Sequence, residues 1–139
     1  MKDFKDISVE VNENIAYVTI QRPPNNFFDY LLIEQIADSY EGLDQVSDCR
    51  VIILRSEGKN FCAGQDLSER KTNIEKNNLN LEQSIQKNYI PLINFIRNAK
   101  VPIISCVQGV AAGAGLSLAL CTDLIILSKD ATLDFAFTR

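Results

Sequence analysis

The sequence predicts an α/β fold of repeated strand, strand and helix units, and three observations predict it. The apolar runs at Val51-Ile52-Ile53-Leu54 and Val101 to Val107 are nearly unbroken, the pattern of strands covered on both faces. Stretches with helical spacing separate them, and parallel strands need such crossovers. Two glycine-bearing segments, Phe61-Cys62-Ala63-Gly64-Gln65-Asp66-Leu67 and Gly109-Val110-Ala111-Ala112-Gly113-Ala114-Gly115, each leave a strand-like run.

In chain order, Ile7 to Val11 and Ile15 to Ile20 read as strands joined by a turn at Asn12-Glu13-Asn14. Arg22-Pro23-Pro24-Asn25-Asn26 stops the sheet, because consecutive prolines remove ladder donors. A helix follows over Asp29 to Leu43, with Leu32, Ile36, Tyr40 and Leu43 on one face, Asp29 as N-cap and Gly42 near its stop. The next strand is Arg50 to Arg55. Ser68 to Asn80 is polar and aperiodic, which predicts a surface loop. A second amphipathic helix carries Leu81, Ile85, Tyr89, Leu92 and Ile96 on one side, and Pro91 kinks or divides it. After Val101 to Val107 come a short apolar helix over Ala114 to Cys121, a strand at Leu124 to Leu127 and a last strand near Leu133.

The chain has 139 residues, 46% of them hydrophobic, enough for one domain with a sizeable core. Residues 131–139 stay apolar and strand-like without a cap or polar tail, so the reading is one domain, 1–139, cut from a longer protein. A net charge of −4 argues against a nucleic-acid surface, which needs a basic stripe. Gln108 and Asp123 interrupt the apolar run from Val101 to Leu127, leaving it short of the roughly 20 residues that span a bilayer. Met1-Lys2-Asp3-Phe4-Lys5-Asp6 lacks the apolar core of a secretory signal, and Cys49, Cys62, Cys106 and Cys121 form no CxxC pair. Free thiols in a reducing cytoplasm are the expectation. No histidine is present, which removes Ser-His and Cys-His nucleophile pairs and the commonest zinc ligand from these residues.

The two glycine segments carry the functional signal. Each can present backbone N–H groups, unhindered by side chains, to a developing negative charge. Two such donors aimed at one carbonyl make an oxyanion hole. Tight helix packing is the competing explanation for Gly109 to Gly115, whereas dinucleotide binding is disfavoured because the spacing misses G-x-G-x-x-G. Asp66 is placed either to act as an acid or to cap the following turn, and capping is favoured. No residue cluster points to a metal.

With these motifs in order, the chain resembles the enoyl-CoA hydratase/isomerase family, the crotonase superfamily. The resemblance rests on Arg22-Pro23 with Asn26, the Phe61 to Leu67 segment, Lys100-Val101-Pro102-Ile103-Ile104, Gly109 through Gly115 and Cys121-Thr122-Asp123. It implies the N-terminal portion of the ClpP/crotonase spiral and an acyl-CoA thioester as substrate. No separate cofactor is implied, since coenzyme A is part of that substrate, and the complete protein is expected as a homotrimer or homohexamer. The resemblance assigns the backbone N–H groups of Gln65 and Ala114 to the thioester oxygen, with the small residues Ala63 and Gly113 admitting the thioester. Gly64, Asp66 and Leu67 lie in the same segment. It also places Asn25 and Phe27 at an adenine-contacting turn and Lys59 near a coenzyme A phosphate, although Lys59 reads equally as a solvated loop residue.

The departures from the family pattern bear on reaction type. Ser117 and Phe137 stand where family hydratases carry two glutamates, and neither can activate water. Ser117 reads as a neutral filler. The motifs look closest to the ring-epoxide acyl-CoA isomerases of phenylacetate breakdown, which implies a single acid beyond Arg139. Isomerisation of a double bond or ring through an enolate is therefore expected, with hydration, or a silent acyl-CoA-binding or assembly role, as alternatives.

Overall fold

A computed structural model describes residues 3–68 and 81–136. The polar stretch 69–80 and Phe137, expected as a loop and as a site residue, lie outside the described residues.

The chain opens with a hairpin, β1 (Ile7–Asn12) and β2 (Ile15–Ile20), in antiparallel register with Val9 opposite Val18. Glu13 and Asn14 both adopt positive φ, as a tight two-residue hairpin turn demands. Helix α1 (Tyr30–Asp44) starts at Asp29, whose carboxylate accepts from the Leu32 N–H at 2.8 Å and pairs with Arg22 at 2.6 Å. Its predicted face is buried, with Ile33 added to Leu32, Ile36, Tyr40 and Leu43.

Strands β3 (Val51–Ser56), β4 (Ile103–Val107) and β6 (Leu124–Leu127) lie parallel to β2, giving one sheet in the order β1-β2-β3-β4-β6. The core fills around Ala16, Val18, Ile52, Leu54 and Ile103, all at most 1% exposed. A second sheet of two short parallel strands pairs β5 (Val110–Ala112) with β7 (Thr132–Asp134). Strand β5 was not expected: it lies inside the second glycine motif, whose small residues conceal it from β-propensity. β4 begins at Ile103 rather than Val101, because Pro102 has no N–H to give a ladder.

Pro91 divides the second amphipathic segment. A short α2 (Leu81–Ser84) runs into a π-helical turn, Ile85–Tyr89, and then α3 (Ile90–Asn98). Proline cannot donate to the carbonyl one turn back, and a wider turn in front of it accommodates the gap. The expected single apolar face therefore splits. Leu92 and Ile96 are buried, whereas Ile85 is exposed and Tyr89 half-buried; both border a pocket, and Tyr89 also packs against the core. Helix α4 (Ala114–Cys121) has the predicted bounds. β6 ends the sheet with Leu124, Ile126 and Leu127 exposed. Among the described residues, no helix is long and apolar enough to cross a membrane.

Candidate functional site

The two glycine segments meet through the backbone. Cys62 and Ala111 form a parallel bridge in which the Cys62 N–H donates to Val110 O at 3.1 Å and the Ala112 N–H donates to Cys62 O at 2.9 Å. That bridge carries Gly64 and Gln65 to the edge of Gly113 and Ala114. Gly115 makes the approach possible: a Cβ there would stand 2.5 Å from both Cys62 Cβ and Cys62 O.

The first segment is also tied on its other side. Phe28 N–H donates to Gly64 O at 2.9 Å, and Asp66 N–H donates to Phe28 O at 2.7 Å. These bonds take the groups flanking Gln65 and leave its own N–H directed away from Phe28. Gly64 and Gly113 have φ of +110° and +50°, turning the chain so that the next peptide points outward from each loop. Ala114 is the first helical residue of α4, where an N–H has no partner within the helix. Among the described residues, neither the Gln65 nor the Ala114 N–H has an acceptor.

Both donors border one pocket of about 850 Å³. Its floor is Ala63, Gly64, Gln65, Gly113 and Ala114, and its walls include Phe27, Leu67, Ser117 and Ala136. Of the residues marked by sequence, these motif positions, Phe27 and Asp66 are brought together. Asn25 and Lys59 do not border the pocket: Asn25 accepts from Asn60 at 3.0 Å and from the Ala63 N–H at 2.9 Å, while Lys59 is exposed in the preceding loop. Five lining residues were missed, Tyr30, Ser68, Ile85, Tyr89 and Ala136. Tyr89 and Ile85 carried only the helical spacing of core residues, which hides a pocket face. Tyr30 carried no signal beyond standing next to the Asp29 cap.

Asp66 is the one carboxylate among the described lining residues, and it is engaged. Its Oδ1 accepts from both the Ser68 N–H at 2.9 Å and Ser68 Oγ at 2.6 Å, the capping arrangement. Ser117 Oγ donates to Gly113 O at 3.1 Å, so its hydroxyl turns back on its own helix. Burial pushes the Cys62 thiol up to about 12, with its sulfur against the Gly64 backbone, so it is a neutral packing group at pH 7 rather than a nucleophile. Among the described residues, no three His, Cys, Asp or Glu side chains are grouped to hold a metal. The Gln65 and Ala114 N–H groups thus stand at the border of one apolar, aromatic-walled pocket, without an acceptor among the described residues.

A parallel-stranded spiral with backbone donors at a glycine-lined pocket defines a crotonase-type fold. Residues 10–139 match the enoyl-CoA hydratase/isomerase family model, and the chain belongs to that family. It is 32% identical over 98% of its length to a Rhodobacter capsulatus protein named probable enoyl-CoA hydratase, covering 51% of that protein. It is likewise 32% identical over 93% of its length to the 1,2-epoxyphenylacetyl-CoA isomerase of Escherichia coli, covering 50%. A Mycobacterium abscessus crystal structure of the hydratase/isomerase group superposes with a TM-score of 0.87 at 28% identity, over 95% of this chain and 52% of that one. The chain thus spans about half the length of the curated relatives it matches.

Proposed function

We propose that this chain supplies the oxyanion hole of an acyl-CoA isomerase, which shifts a double bond or opens a ring through a thioester enolate. The carrying observation is the pair of amides, Gln65 and Ala114, at one pocket floor, with no acceptor among the described residues. Removing the α-proton of an acyl thioester puts negative charge on the carbonyl oxygen. Two fixed N–H dipoles stabilise that charge more than they stabilise the neutral carbonyl, which is what lowers the barrier. Coenzyme A enters as part of the substrate, and no further cofactor is required.

Two features favour isomerisation over hydration. Ser117 fills a position where a water-activating carboxylate is needed, and Asp66 is occupied by Ser68. Aromatic rings from Phe27, Tyr30 and Tyr89 offer flat apolar surface to an unsaturated or cyclic acyl group. The test follows the complete enzyme with an unsaturated acyl-CoA, reading double-bond migration and exchange of the α-proton into deuterated water. Fast migration and exchange with slow water addition to crotonyl-CoA is the expected pattern. Rapid hydration of crotonyl-CoA would replace this reading with the hydratase one.

A further inference from the structure

The π-helical turn at Ile85–Tyr89 does something the oxyanion reading leaves unused. It ends at Tyr89, which packs against the core that holds Leu92 and Ile96 and also borders the pocket. There the Tyr89 hydroxyl donates to Oε1 of Gln65. Gln65 is the residue whose main-chain N–H stands on the pocket floor. Its backbone is gripped from one side by the bridge to Phe28, through Gly64 O and the Asp66 N–H. The side chain leaves on the pocket side, where Tyr89 takes hold of it. Single-turn π bulges concentrate at functional sites, and here the bulge determines where one hydroxyl falls.

We propose that Tyr89 is a positioning residue: its hydroxyl, acting through the Gln65 side chain, orients the Gln65 peptide so that its N–H meets the thioester oxygen. The proposal rests on the oxyanion reading above. The role assigned to Tyr89 is positioning through Gln65, not proton exchange with substrate. Its contribution is to hold a donor still, and a misdirected donor costs rate rather than affinity.

The experiment is a double-mutant cycle in the complete enzyme, with Tyr89→Phe, Gln65→Met and the pair, reading kcat and KM separately. Ala114→Pro is measured alongside. Losing one neutral hydrogen bond is worth about a 3- to 10-fold fall in kcat. That fall is expected in each single variant with KM nearly unchanged, and the pair should lose no more than either single variant, because both cut the same link. Should Tyr89→Phe fold poorly, Gln65→Met, which leaves the ring in place, reads the same step. Additive losses, an unchanged kcat, or a raised KM at constant kcat would overturn the role of Tyr89. If Ala114→Pro is inactive in that same set, the oxyanion reading survives that failure; if Ala114→Pro is fully active, both readings fall.

Discussion

At the scale of single residues, the site depends on backbone groups that side chains only make accessible. Ala114 is the clearest case. It is the first residue of α4, a position that tolerates proline because the N–H there has no helical partner. Ala114→Pro therefore removes the donor with little cost to the helix, whereas Ala114→Gly keeps it. In the complete enzyme, the proline variant should lose about 10²- to 10³-fold in kcat while the glycine variant retains most of it. Steady-state kinetics on thermally matched variants check this. Cys62 yields a pH prediction. Its folded pKa, about 12, stands above its ordinary 9.0, so burial contributes stability that is complete below pH 9 and is lost as pH rises toward 12. Cys62 should resist alkylation at pH 8 in the folded protein and react on unfolding. Cys62→Ala should flatten the loss of stability above pH 9, measured by denaturant midpoints.

At the scale of elements, close approach between the Cys62 segment and α4 holds the two donors together. Gly115→Ala inserts a Cβ 2.5 Å from Cys62 O, a backbone atom that cannot swing aside. The substitution should destabilise by about 1–3 kcal/mol and lower activity with it. Urea denaturation measures the first, kinetics the second. The same elements show what could be read in advance. Strands β2 and β3 and helix α1 were legible because their apolar spacing matches their burial, and the Asp29 cap announced itself by residue type. That the two glycine segments meet at one pocket was legible through their glycines. Strand β5 was not, since Val110-Ala111-Ala112 is too short and too small to carry a pattern. Tyr89 was legible as a helix residue but not as a pocket residue, because helical spacing marks a core-facing side without showing which of its residues also border a pocket.

At the scale of the whole molecule, the mixed five-stranded sheet and α1 form the core, and the pocket floor sits at its margin. There the first glycine segment crosses to the small β5–β7 sheet. The Gly113 N–H donates to Asp134 O at 3.1 Å, so β7 also steadies the turn before Ala114. The sheet ends at β6, whose Leu124 and Ile126 are 61% and 58% exposed, and Phe135 beyond β7 is 55% exposed. Among the described residues this apolar strand edge has no partner, and such an edge is a template for further pairing. The proposed function converges on one physical act, polarisation of a thioester carbonyl by two amides. Infrared difference spectroscopy of a carbonyl-labelled acyl-CoA bound to the complete enzyme measures that act. The carbonyl stretch should fall on binding to the unmodified protein, and most of the fall should vanish in Ala114→Pro at saturating ligand. An unshifted carbonyl in the unmodified protein, or an equal shift in the proline variant, would contradict the oxyanion hole.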